Sequence, residues 1–171
     1  VSVDRRFPLV TADGLRDQGV DVRVDHSDAV ERTRAVKTET EVAYVQEAQR
    51  ANEAAMAEAE RLIATADVVD GVLHQDGEPL TSEQVRQAIE RTLLELGCGL
   101  DETIVAAGTD GANPHDRGSG PIGVDEPVIV DIFPRDKATK YHADMTRTFC
   151  KGTPTDEQQR RYDVTEEAFH A

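Results

Sequence analysis

Apolar positions along this chain follow two rhythms. Steps of three and four dominate its first half, whereas short β-branched runs and strict alternation appear near residues 103–107, 127–133 and 142–150. From about Asp28 to Ala66, Val42, Val45, Ala48, Ala55, Ala59, Leu62 and Ile63 recur at helical spacing, opposite a face of Glu, Gln and Arg. This predicts one helical stretch. A turn at Asp76-Gly77-Glu78-Pro79 precedes Thr81-Ser82-Glu83-Gln84, a capping box that opens a second helix. Its buried stripe is Val85, Ala88, Ile89, Leu93 and Leu96, and Gly97 ends it. Thr103 to Ala107 reads as a strand, and Gly108 to Gly123 as an irregular loop. Thr155-Asp156-Glu157-Gln158 caps a last helix running to about Phe169. At the front, Phe7-Pro8-Leu9-Val10 reads as a short strand, Leu15 to Gln18 as a helical turn and Val20 to Val24 as a strand. The order predicts an α+β fold, with helices covering one face of an antiparallel sheet. No internal repeat or low-complexity segment interrupts it.

The chemistry concentrates between Val128 and Gly152. Asp131 ends the run Val128-Ile129-Val130, where a charge is costly unless something pairs with it. Asp144 opens the alternating strand Met145-Thr146-Arg147-Thr148-Phe149. A turn containing Pro134, Arg135, Asp136 and Lys137 joins the two runs into a hairpin that brings both carboxylates together. Two carboxylates at one spot repel unless a cation sits between them, which points to a divalent metal site. On pattern alone, a hairpin with two solvated aspartates accounts for the residues equally well.

Composition narrows the partners. Asp and Glu number 34 against 19 Lys and Arg, a net charge of −15, and only Lys37, Lys137, Lys140 and Lys151 are lysines. The excess is spread along the chain, so it does not read as a disordered acidic tail. An acidic, lysine-poor composition resembles proteins of salt-loving organisms, because salt screens the self-repulsion. Nucleic acid is excluded as a partner on charge. No apolar run approaches the roughly 18 residues of a membrane span, and nothing at the front resembles a signal peptide. The 171 residues suffice for one domain with a real core. Cys98 and Cys150 form neither a CxxC motif nor a disulfide framework, and read as buried free thiols of a reducing cytoplasm.

The segment VIVD, then Tyr141, then Asp144-Met145-Thr146-Arg147-Thr148-Phe149 closing at Gly152, resembles the first metal-ligand hairpin of the pita-bread metallopeptidases (family M24). That family includes methionine aminopeptidases, aminopeptidase P, prolidase and creatinase. Thr146-Arg147-Thr148 is more similar to the Xaa-Pro aminopeptidase and Xaa-Pro dipeptidase (prolidase) branch. Arg34-Ala35-Val36-Lys37-Thr38 followed by Glu41 resembles the opening of the family's first catalytic-domain helix, although Lys37 and Glu41 also make a plain i,i+4 surface pair. One departure is the separation of the aspartates, 13 positions, slightly longer than in the commonest family hairpin.

The resemblance implies the first half of a pita-bread fold. Residues 1–30 would be the remnant of an N-terminal domain and linker, and residues 31–171 the N-terminal half of a metallopeptidase catalytic domain. It implies Asp131 and Asp144 as metal ligands, one chelating a single ion and one bridging two, with manganese favoured over cobalt or zinc. His115, in Asn113-Pro114-His115, takes the role of the substrate-positioning or proton-donating histidine. Thr146, on the same strand face as Asp144, is suited to hold a carboxylate or water in support of the ligands. His142 is at best a similar support, Arg147 a salt-bridge partner and Tyr141 a packing residue. His26, His74 and His170 have no motif around them.

The implied function is hydrolysis of peptides or dipeptides at an Xaa-Pro bond by a cytoplasmic homo-oligomer. The family's downstream His-Gly-x-Gly-His segment and two later glutamates are not among these residues, so the 171 residues alone are expected to be inactive. A half sheet would also leave an edge and an apolar face, which predicts self-association. The alternatives are a catalytically dead pita-bread binding module and a creatinase-like C–N hydrolase.

Overall fold

The computed structural model describes residues 1–171, which divide into two units, Val1–Val42 and Ala43–Ala171. In the first unit, β1 (Ser2–Val3) pairs in parallel with β2 (Arg23–Val24), and α1 (Leu9–Asp17) connects them. Phe7–Val10 is therefore not a strand. Pro8 stands at the N-cap of α1, and its carbonyl accepts the N–H groups of Thr11 and Ala12. A proline beginning a helix loses no hydrogen bond, since the first N–H groups of a helix are unpaired anyway.

The helical stretch expected from Asp28 to Ala66 is broken. α2 (Ala29–Ala35) stops before Val36, and α3 runs from Glu39 to Thr65. The cause is a third capping box: the Glu41 carboxylate accepts the Thr38 N–H at 2.7 Å, and Thr38 Oγ1 accepts the Glu41 N–H at 3.3 Å. The Lys37 ammonium donates to the Arg34 carbonyl. Val42, placed on the buried stripe by its spacing, is 44% exposed; burial begins only at Ala48.

In the second unit, β3 (Asp67–Val69), β4 (Val72–Gln75) and β5 (Glu78–Pro79) form an antiparallel meander. Its two turns are Asp70-Gly71 and Asp76-Gly77, with all four residues at positive φ. Such Asp-Gly turns match the twist of the strands they join. α4 (Ser82–Glu95) starts at the Thr81–Gln84 capping box, and Gly97 follows it at φ 78. Leu96 is 50% exposed, so the stripe ends at Leu93. β6 (Cys98–Gly99) and β7 (Thr103–Ala107) come next, then a 3-10 turn at Gly108–Ala112.

β8 (Pro127–Ile132) is the central strand of the main sheet, between β7 and β10 (Met145–Cys150), and antiparallel to both. β9 (Arg135–Asp136) lies between β8 and β10 in the chain but pairs with β6. Alternation along β8 turns Val128, Val130 and Ile132 into the core with Val105 of β7. There they meet Ala55, Met56, Ala59 and Ile63 of α3 and Val85, Ile89 and Leu93 of α4. Each such aliphatic side chain contributes about 1.5–3 kcal/mol on burial. The fold is thus α+β, with the helices on one sheet face and the other face free for chemistry. α5 (Asp156–His170) has no buried residue and exposes Tyr162, Val164 and Phe169. Cys98 is buried, but Cys150 is exposed, which corrects the expectation of two buried thiols. No helix is long and apolar enough to cross a membrane.

Candidate metal centre

The period-two alternation that buries Val130 and Ile132 turns Ile129 and Asp131 to the opposite sheet face. Asp131 is half-buried. Directly across the ladder is Thr146, and its hydroxyl donates to Asp131 Oδ1 at 2.5 Å. Met145 and Phe149 alternate onto the core face, where both pack against the core. Arg147 shares their parity, opposite Val130, and stays exposed.

Asp144 immediately precedes β10 and is exposed. It lies two residues before Thr146, which places it diagonally to Asp131 where the ladder begins. The segment joining β8 to β10 is more than a tight turn. It leaves the sheet to pair β9 with β6, and turns back on Asp136, whose Oδ1 accepts the N–H groups of Thr139 at 2.6 Å and Ala138 at 3.0 Å. The backbone and hydroxyl hydrogen bonds from Thr139 are the main reason the Asp136 carboxyl is held below its ordinary value. Tyr141 packs on Tyr44 with ring centroids 5.7 Å apart, as its expected packing role requires. His142 is exposed, and its backbone pairs with that of Arg135 in a single antiparallel bridge. The extra residues between the two aspartates are accommodated in this excursion, and the β8–β10 register is undisturbed.

Above the sheet, the loop after β7 carries His115, which is exposed. The Asn113 side chain accepts the His115 N–H at 3.1 Å, an Asx turn that fixes the loop tip. Asn113 and Pro114 roof a cleft of about 270 Å³ floored by Ile104, Ala106 and Ile129, with Asp131 and Thr146 at its polar end. Asp131 and Thr146 are thus brought together, and the residues just before His115 border the same cleft. His115 and Asp144 themselves do not line it.

Carboxylate oxygens suit hard divalent cations. Nowhere in residues 1–171, however, do three His, Cys, Asp or Glu side chains gather as a cation site. Cations of this class take about six ligands, so two aspartates fit as part of a site and do not complete one.

One supporting residue carries no signal in the sequence. Asn52 of α3 is fully buried and donates from Nδ2 to the Ile132 carbonyl at 3.3 Å, next to Asp131 in β8. Nothing in the helical pattern distinguishes it from its exposed polar neighbours.

The chain is similar in fold to several solved structures. The prolidase from Pyrococcus horikoshii OT3 superposes with a TM-score of 0.76 at 21% identity, covering 98% of this chain and 45% of that one. The X-Pro aminopeptidase from Thermotoga maritima MSB8 gives 0.73 at 22% identity, covering 98% and 45%. Dipeptidase PepE from Mycobacterium ulcerans gives 0.73 at 25% identity, covering 95% and 40%. The chain therefore spans less than half the length of each, and its α+β architecture is that half of the pita-bread fold. No match was found among curated protein sequences. The model of one family, described as metallopeptidase family M24, matches residues 43–171, and since this is most of the chain, the chain belongs to metallopeptidase family M24.

Proposed function

We propose that this chain is part of a metal-dependent hydrolase that cleaves peptides or dipeptides at an Xaa-Pro bond. Asp131 and Asp144 would supply carboxylate ligands, and Thr146 would orient Asp131. His115 would face the scissile bond as hydrogen-bond donor. The observation that carries this reading is the Thr146–Asp131 pair, set at the polar end of an apolar cleft below the Asn113–Pro114 loop. A hydroxyl that fixes one carboxylate oxygen leaves the carboxylate oriented before any ligand arrives, as metal sites require. Bound divalent ions, manganese foremost, would supply Lewis acidity and an activated water. The remaining donors would come from groups outside residues 1–171, in the rest of a catalytic domain of which residues 31–171 form the first half. Residues 1–30 would then be the end of a preceding domain and its linker.

The exposed Tyr162 and Phe169, seven positions apart and so on one side of α5, support a face that is covered in the complete protein, and we place that protein in the cytoplasm as a homo-oligomer. A second reading is a pita-bread module without catalysis, in which the groups outside residues 1–171 do not complete the donor set. The complete gene product, assayed for Xaa-Pro hydrolysis with Mn²⁺ in high salt, separates the two. Hydrolysis that vanishes in Asp131→Asn and Asp144→Asn supports the peptidase. Metal binding without Xaa-Pro hydrolysis moves the substrate elsewhere, creatinase-like C–N bonds included. No metal binding leaves the module.

A further inference from the structure

The loop that carries His115 is held from below by a single cationic side chain. Arg86 of α4 donates from Nη1 to the carbonyl oxygens of Arg117 at 2.5 Å and Gly118 at 2.7 Å. Its side chain is only 18% exposed, and Glu83, one turn back on the same helix, lies 3.5 Å from its other nitrogen. The same Glu83 carboxylate accepts the Gly120 N–H, at 3.2 Å to the nearer oxygen, while the Ser82 N–H donates to the Gly120 carbonyl at 3.0 Å. The start of α4 thus grips both ends of the segment 117–120.

The rest of the loop is tied to itself and to β7. The Val105 N–H donates to the Arg117 carbonyl at 3.1 Å, and the Asp116 carboxylate accepts the Gly118 N–H at 2.9 Å. Asp110 accepts the Ser119 N–H at 3.1 Å. Gly118 is pressed so closely on β7 that a Cβ there would meet the Val105 carbonyl oxygen at 1.9 Å. What remains is the tip, Asn113 to His115, whose direction follows from where Arg117 and Gly118 are anchored. The hydrogen bonds from the mostly buried Arg86 guanidinium are charge-assisted, and so stronger than neutral ones.

We infer that Arg86 is a positioning residue for His115: by holding the Arg117 and Gly118 carbonyls it fixes the base of the loop that carries the histidine and whose Asn113 and Pro114 border the cleft. This rests on the catalytic reading of His115 given above. It assigns Arg86 no contact with substrate or metal.

A double-mutant cycle in the complete gene product tests it, with kcat and KM for Xaa-Pro hydrolysis, Mn²⁺ affinity by calorimetry and Tm measured on each variant. Misplacing a catalytic group by a fraction of an ångström costs rate more than binding, so Arg86→Ala should lower kcat about tenfold while KM and Mn²⁺ affinity stay within about twofold. Arg86→Lys, which keeps a cationic donor, should recover part of that loss, to within about threefold of the unaltered protein. If Arg86 acts through His115, adding Arg86→Ala to His115→Ala should lower kcat by less than about twofold further. An Arg86→Ala kcat within twofold of the unaltered protein overturns the inference. So does a tenfold loss that persists undiminished in the His115→Ala background, or Mn²⁺ affinity that falls in step with kcat. Should Arg86→Ala not fold, Arg86→Lys carries the same cycle with an expected loss of about threefold; two unfolded variants would make Arg86 a stability residue and overturn the role. If His115→Ala leaves kcat unchanged, or the unaltered protein does not hydrolyse Xaa-Pro substrates, the underlying reading fails and the inference with it.

Discussion

Thr146 and Asp131 stand directly opposite each other in the β8–β10 ladder, and the Thr146 hydroxyl donates to Asp131 Oδ1 at 2.5 Å. The contact commits one carboxylate oxygen and fixes the plane of the group. It joins the two strands through side chains on the face where the backbone leaves room for a ligand. A hydroxyl-to-carboxylate bond of this kind is charge-assisted and stronger than a neutral one.

Thr146→Val keeps the β-branched shape and removes the donor. If Thr146 orients a metal ligand, Mn²⁺ affinity of the complete gene product should fall by about 10- to 100-fold, with little change in Tm. Titration calorimetry on the two proteins checks this. Equal affinities would make the hydroxyl a strand feature only.

Gly118→Ala tests how tightly the His115 loop is seated. The added Cβ would lie 1.9 Å from the Val105 carbonyl oxygen and 2.7 Å from Ala106 Cα, at a backbone φ of 71. Both neighbours are backbone, so neither can swing aside. Overpacking and left-handed strain together should cost about 2–4 kcal/mol in urea unfolding. A loss under about 1 kcal/mol would mean that the loop can lift from β7.

Acid should release the α4 grip on the loop. The Glu83 carboxyl is held below its ordinary value of 4.5 by its own backbone N–H first, then by the Gly120 N–H, the Thr81 side chain and the Arg86 charge. A depressed folded value means that the stabilisation is complete above the unfolded value and is lost as pH falls through the folded one. The Gly120 amide resonance should therefore hold steady from neutral pH to about 5 and move only below 4.5. Glu83→Gln should abolish that titration. A midpoint above 4.5 would contradict the hydrogen-bonding account.

Salt should stabilise the fold. The net charge of −15 repels itself at low ionic strength. Surface pairs such as Arg61–Glu58 and Arg160–Glu157 act in the opposite direction, but each is worth only about 0–1 kcal/mol. Raising KCl from about 0.1 M to about 1 M shortens the Debye length from about 10 to about 3 Å and should raise Tm. A Tm that falls across this range would show that local ion pairs outweigh the self-repulsion.

The parts of the fold legible in the sequence are those set within a few residues. The capping boxes at Thr81–Gln84 and Thr155–Gln158 start helices where expected, and Thr103–Ala107 is a strand over the same residues. Two further local signals prevail over the longer-range pattern. Thr38-x-x-Glu41 breaks the long helical pattern, and Asp70-Gly71 adds a hairpin turn between β3 and β4. The reading of Phe7–Val10 failed because four apolar residues cannot distinguish a strand from the first turn of a helix entered through proline.

The sequence by itself determined the two strands around Asp131 and Asp144, the parity that sets Thr146 on the Asp144 face, and the loop bearing His115. Alternation and turn chemistry act on neighbours, and neighbours are what a sequence displays. Only the tertiary structure decided that Asn52 is buried against Ile132, that β9 leaves the hairpin for β6, and that Arg86 reaches the carbonyls below His115. Those contacts join residues tens of positions apart. They depend on which helix face meets the sheet and in what register, a choice made by packing the whole core at once.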